Sequence, residues 1–140
     1  VAITAPCFDV DSSGALIIGA VAGVLVVFSV IFFDWIRIDD PVGAISVHGV
    51  CGLWGTMAVG LFASPEFGSG SAGLFYGGGL RLLWIQALGS VIALAWGLGS
   101  GLVLMLTLKY TIGLRVSREE EIEGLDIIEH GNEAYPEKFS

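Results

Sequence analysis

Three long runs without Asp, Glu, Lys or Arg dominate the hydropathy pattern of this 140-residue chain. They cover Ser12–Phe33, Pro41–Pro65 and Leu82–Leu108. Each run is longer than the roughly 18 apolar residues from which a membrane-crossing helix is inferred. The pattern therefore predicts an all-α integral membrane protein that is embedded in a lipid bilayer by three spans, at about residues 14–33, 42–62 and 82–111.

Polar and small residues refine the ends and faces of these spans. Asp40 is expected to cap the second span, with Pro41 in its first helical position. The stretch Ser64–Leu80 is rich in glycine and serine and predicts an irregular loop. In the third span, small residues recur at four-residue spacing, which predicts close packing of that face against another helix. These residues are Gly89, Ala93, Gly97 and Gly101.

Composition agrees with a membrane protein and locates the charge. Only 14% of the residues are charged, against roughly 25% in a typical soluble domain, and the mean hydropathy is +0.82. The formal net charge of −8 is concentrated after Ser117, which argues against nucleic-acid binding. The chain is thus divided into a transmembrane region, 1–113, and an acidic cytoplasmic tail, 114–140. A solvated tail and a tail held to the membrane face by its isoleucines both remain open.

The placement of Lys and Arg predicts the orientation. With three spans, the loop that contains Arg37 and the C-terminal tail lie on one side of the membrane, and this side carries five of the six basic residues. The other side carries only Arg81. The positive-inside rule then puts the C-terminus in the cytoplasm and the N-terminus outside, in the plasma or inner membrane.

The N-terminal residues and the two cysteines lead to two further expectations. Val1 is not a methionine, and no basic segment of a signal peptide follows it, so we expect the chain to be part of a longer protein. Cys7 and Cys51 fall in different segments at different depths, so no disulfide is expected. Nothing in the pattern calls for a cofactor or a metal ion.

His48 is the candidate functional residue, because it lies inside the second charge-free run. A charged side chain at that depth costs about 3 kcal/mol on insertion scales, so such a residue faces protein or an aqueous path. Helical spacing predicts that it shares a face with Ala44 and Gly52, and more loosely with Cys51 and Gly55.

Residue chemistry leaves four interpretations of His48 open. The histidine is an interhelical hydrogen-bonding residue, part of a transport path, a metal or haem ligand together with Cys51, or a residue of a membrane enzyme. No carboxylate lies in the same span and no serine–histidine–acid set is visible, so the chain is not expected to be an enzyme. His130, in the tail, is expected to be a surface residue.

Short motifs in the second span and in the tail are more specific than the hydropathy pattern. The segments Asp39-Asp40-Pro41 and His48-Gly49-Val50-Cys51-Gly52 resemble the ammonium transporter family (Amt/MEP/Rh). The tail segments Gly113-Leu114-Arg115-Val116, Gly124-Leu125-Asp126 and 129–135 are similar to the cytoplasmic C-terminus of that family. The resemblance extends over essentially the whole chain.

The resemblance implies a fold and a set of site residues. Family members have about eleven spans and form homotrimers in which every subunit has its own narrow pore. This chain resembles the last three spans, preceded by the end of the eighth. His48 matches the second of two pore histidines, while Thr4 and Ala44 match other pore positions. Gly43 departs from the pattern, because some members have an acidic residue there.

The implied function is transport of ammonium or ammonia across the membrane. Ammonium is recruited at the outer mouth and deprotonated, and ammonia then passes through the apolar pore. The family resemblance also implies a regulator of the PII class as a partner of the cytoplasmic tail. The alternative function is a membrane-anchored ammonium sensor on the same fold. Since the first histidine and the outer site lie outside this sequence, the chain alone is not expected to conduct.

Overall fold

The computed structural model describes residues 1–132, and every regular element in that range is helical. Three helical segments are long and apolar enough to cross a membrane: Ser12–Trp35, Ile45–Phe62 and Arg81–Thr111. The prediction of an all-α membrane protein with three spans is therefore confirmed. The chain divides into two compact units, Val1–Ala95 and Trp96–Ser140.

Two kinds of helix form the second span. A π-helix at Ile45–Val50 continues directly into an α-helix at Cys51–Phe62. We number the α-helices in chain order. They are α1 (Ser12–Trp35), α2 (Cys51–Phe62), α3 (Arg81–Thr111), α4 (Arg118–Glu123) and α5 (Leu125–His130), and short 3-10 turns occur at Pro6–Phe8 and Leu74–Tyr76.

The second span begins later than its sequence predicts. Asp40 does cap it, but its carboxylate accepts hydrogen bonds from the backbone N–H groups of Ile45 and Ser46, at 3.0 and 3.1 Å. A turn separates Asp40 from the helix, and in this turn Gly43 has a φ of 67°. The expectation that Pro41 occupies the first helical position is wrong, because this left-handed residue separates Pro41 from the helix.

The core of the first unit lies between the N-terminal segment, α1 and α2. Ile18 and Ala58 are fully buried there. The indole N–H of Trp54 donates to the carbonyl of Ile18 at 3.1 Å, and the thiol of Cys51 lies 3.6 Å from the carbonyl of Ala22. In a bilayer such donors need internal partners, so these contacts fix the rotation of α2 against α1.

Glycines allow two backbone approaches against α2. A Cβ atom at Gly55 would collide with the backbone of Ala2, which crosses the helix there. A Cβ atom at Gly60 would lie 2.5 Å from the Cα atom of Leu83, in the first turn of α3. Real Cβ atoms essentially never come so close to another heavy atom. The absence of side chains at these two positions therefore sets how closely the neighbouring segments pack.

Carboxylates of the N-terminal segment anchor the loop between α2 and α3. Asp9 accepts from the backbone N–H and the hydroxyl of Ser69, at 2.8 and 2.6 Å. Asp11 caps α1 through the N–H of Gly14 at 2.7 Å and accepts from the hydroxyl of Tyr76 at 2.9 Å. These bonds hold the pKa of Asp11 below its ordinary value, the one from Gly14 most strongly. The loop is irregular, as predicted, but it has specific anchors.

The glycines of the predicted small-residue stripe of α3 have no other helix against them in the described part of the chain. Apart from neighbouring residues and the backbone of α3 itself, no atom of residues 1–132 lies within 4 Å of a Cβ placed on Gly89, Gly97 or Gly101. Close packing along this face therefore stays a prediction.

The tail contains two short helices over 118–130. Ser117 and Glu120 form a capping box at the start of α4, and Arg115 pairs with Glu121 at 2.7 Å. Hydrogen bonds from the backbone and side chain of Ser117 lower the pKa of Glu120. Most of residues 118–130 are therefore helical, and, with Ile122 and Ile127 exposed, a tail held to the membrane face stays a prediction. The motif residues after 132 lie outside the described part of the chain.

Candidate functional site

His48 lies in the π-helical turn of the second span and faces a cavity of about 320 Å³. One wall of the cavity belongs to the second span and the other to α3. The imidazole is exposed to this space, and no group among residues 1–132 hydrogen-bonds to it. The lining residues are His48, Gly49, Gly52, Leu53, Thr56, Ser90, Ala93 and Leu94.

The lining around His48 is small and apolar, apart from two hydroxyl groups. Thr56 uses its hydroxyl within its own helix, donating to the carbonyl of Gly52 at 3.0 Å. Ser90, on the opposite wall, is buried, and its hydroxyl has no hydrogen-bond partner among the described residues. An unpaired buried hydroxyl costs free energy, so it is available to a polar molecule or group that enters the cavity.

The face of His48 differs from the one that α-helical spacing predicts. Gly52 lines the cavity with His48, as expected. Cys51 is instead buried against α1, and Gly55 faces the backbone of Ala2. A π-helix bonds residue i to residue i+5, so it shifts the phase of the residues that follow relative to an α-helix. The looser grouping of His48 with Cys51 and Gly55 is therefore wrong.

The same geometry argues against a metal site formed by His48 and Cys51. The imidazole lines the cavity beside α3, whereas the thiol contacts the carbonyl of Ala22 in α1. Two side chains that lie on different sides of one helix cannot bind a common ion, so this alternative is wrong. Within residues 1–132, no group of three or more potential metal ligands converges.

Thr4 and Ala44, the other two candidate residues, do not line this cavity. Thr4 is exposed in the N-terminal segment, where its backbone N–H donates to the carbonyl of Val1 at 3.0 Å. Ala44 is exposed immediately before the π-helical turn. Their roles stay predictions.

Ser90 and Thr56 were missed by sequence reasoning. Thr56 lies one α-helical turn after Gly52, which the spacing already grouped with His48, and this was a usable signal. Ser90 had no such signal, because its place opposite the histidine depends on how α3 packs against the second span. His130 is exposed at the end of α5, as expected.

Three apolar spans and a histidine that opens onto a small-residue cavity define a helical membrane protein with a polar site at membrane depth. Comparison with known proteins adds the family. The model of the Ammonium Transporter Family matches residues 1–135. The chain belongs to this family, whose members are transporters or channels and not enzymes.

Individual relatives agree with this assignment. The chain is 41% identical to ammonium transporter Amt2 of Archaeoglobus fulgidus over 97% of its own length, and 43% identical to an ammonium transporter of Mycobacterium bovis over 96%. It is 37% identical to ammonium transporter 3 of Dictyostelium discoideum over 96%. The chain spans 30% of the length of the first two relatives and 33% of the third.

Proposed function

We propose that this chain supplies the C-terminal helices of a transporter of ammonium or ammonia, in which His48 lines the path through the membrane. The observation that carries the proposal is the position of His48, at membrane depth and open to a cavity between two spans. Membership of the chain in the Ammonium Transporter Family supplies the substrate class.

The chemistry of the cavity supports a neutral species in transit. A bare ion is costly among glycine, alanine and leucine side chains, whereas a neutral amine that is hydrogen-bonded is not. A neutral imidazole has one donor and one acceptor, so it can hold ammonia or take a proton from ammonium. The free hydroxyl of Ser90 offers a further polar contact on the facing wall. In this proposal ammonium loses its proton before the apolar part of the path.

Other parts of the proposal rest on the family resemblance. A second pore histidine is supplied by the preceding spans of the longer protein, and Thr4 and Ala44 contact the path in the assembled pore. The complete subunits form a homotrimer in the plasma or inner membrane, with the N-terminus of this chain outside. A regulator of the PII class binds the cytoplasmic tail, where α4 and α5 present Ile122 and Ile127 as exposed apolar side chains.

A chimeric transporter tests the function directly. Residues 1–140 replace the matching segment of Amt2 from Archaeoglobus fulgidus, with which this chain is 41% identical. Uptake of ammonium is measured against pH for the parent protein, the chimera, and the chimera with His48→Leu. The variant His130→Gln is the matched control, because it changes the other histidine of the chain, which lies in the tail.

We expect the chimera to transport, His48→Leu to change its rate, selectivity and pH dependence, and His130→Gln to leave them unchanged. Unchanged transport in the His48→Leu chimera would show that the proposed role of this residue is wrong. A chimera that binds ammonium but does not take it up, beside an active parent protein, would favour the sensor.

A further inference from the structure

The carboxylate of Asp40 anchors the π-helical turn that contains His48. One oxygen of Asp40 accepts from the N–H of Ile45 at 3.0 Å. The other oxygen accepts from both the N–H and the hydroxyl of Ser46, each at 3.1 Å. Burial opposes the charged form of Asp40, but these hydrogen bonds outweigh it and hold the pKa of its carboxyl below the ordinary value. The carboxylate therefore binds both of the first two residues of the turn.

Ser46 connects this anchor to the far end of the turn. Its side chain is fully buried, and its hydroxyl is committed to Asp40. Its carbonyl accepts the N–H of Cys51, five residues later, which is the hydrogen bond that defines a π-helix. The thiol of Cys51 in turn contacts the carbonyl of Ala22 in α1. His48 thus lies inside a turn that is tied at both ends.

The register of this turn decides where His48 points. One residue of an α-helix corresponds to about 100° of rotation about its axis. If the turn relaxed to α-helical bonding while α2 stayed in place, His48 would rotate by about that amount relative to the cavity. A side chain rotated so far would lie beside the cavity and not in it. Nothing in the α-helical pattern of the sequence requires the π-helical form, so specific contacts must hold it.

We propose that Ser46 and Asp40 are positioning residues, which hold the π-helical turn through their hydroxyl–carboxylate bond and so aim His48 into the cavity. Neither residue contacts the substrate in this scheme. The effect on transport rests on the proposed function, whereas the effect on the helix does not. The two can therefore be measured separately.

The structural test uses the 140-residue chain in detergent micelles. Nuclear Overhauser contacts between the Hα of Ser46 and the amide of Cys51 report π-helical bonding, and the ring resonances of His48 report its surroundings. The chain has only two histidines, so His130→Gln assigns the ring signals. The variants are Ser46→Ala, which removes the hydroxyl donor, and Asp40→Asn, which replaces one of the two acceptor oxygens by an amide nitrogen that cannot accept. Ser69→Ala is the matched control, because it removes another serine–carboxylate bond, to Asp9.

We expect both variants to lose the contact between residues 46 and 51 and to shift the His48 ring signals, while Ser69→Ala changes neither. In the chimera, Ser46→Ala should lower ammonium uptake by tenfold or more, because a displacement of about 1 Å at a reacting group can cost about a hundredfold. If Ser46→Ala does not fold, the contact between residues 46 and 51 and the His48 ring signals are measured in Asp40→Asn instead.

Two results would overturn the inference. One is a π-helical contact and a His48 signal that survive both substitutions. The other is an equal change in Ser69→Ala, which would indicate a general loss of structure. An inactive unaltered chimera beside an active parent protein would contradict the proposed function alone, since the measurements on the helix do not depend on transport.

Discussion

The contact between Gly60 and Leu83 sets the spacing of the two walls of the histidine cavity, and a single methyl group tests it. In Gly60→Ala, the new Cβ would lie 2.5 Å from the Cα, 2.9 Å from the N and 3.0 Å from the Cβ of Leu83. Carbon atoms pack best at about 3.5 Å or more, so the second span and α3 must separate by about 1 Å.

Two opposing effects determine how much Gly60→Ala changes the free energy of unfolding. Overpacking of this kind costs about 1–3 kcal/mol, while Gly→Ala inside a helix gains about 1 kcal/mol in propensity. The control Gly89→Ala brings only the gain in helix propensity, because no described atom outside its own stretch of helix lies within 4 Å of its new Cβ. The difference between the two variants therefore isolates the steric cost, and we expect it to be about 1–3 kcal/mol.

Unfolding of the purified chain in mixed micelles with increasing SDS, followed by circular dichroism, measures this difference. Gly60→Ala should unfold at a lower SDS fraction than Gly89→Ala. Adding Leu83→Ala should not rescue it, because the two nearest atoms belong to the backbone. Equal midpoints for the two single variants would refute the reasoning, since they would show that the helices do not meet at Gly60.

Two further predictions concern contacts that hold the first unit together. Trp54→Phe removes the indole donor to Ile18 and should cost about 0.6–1.7 kcal/mol in the same SDS titration, and no loss of stability would contradict a specific bond. The anchor of the loop between α2 and α3 should depend on pH. Since the pKa of Asp11 is lowered in the folded state, its stabilisation is complete above the ordinary carboxyl pKa of about 3.9 and is lost as the pH falls through the lowered value. Tyr76→Phe removes one bond to this carboxylate and should reduce the pH dependence of loop proteolysis, whereas an unchanged profile would show that this anchor is unimportant.

Local pattern was sufficient for some elements of the site and not for others. The cap at Asp40 was readable from the sequence, because an acidic residue before an apolar run has few other roles. The turn between that cap and the helix was not, since nothing in the residues around Gly43 marks its positive φ. Ser46 looked like an ordinary small residue, and its buried bond to Asp40 appears only when the turn has closed.

The sequence by itself determined the three spans, the acidic tail and the family, because a bilayer requires long uncharged runs and because motifs such as 48–52 are continuous in the chain. Only the tertiary structure decided which face of the second span opens onto the cavity. That face depends on a π-helical turn, which α-helical periodicity does not reveal, and on Ser90, which approaches from another helix. Burial in lipid is a property of each segment, whereas the surroundings of a side chain are a property of the segments packed around it.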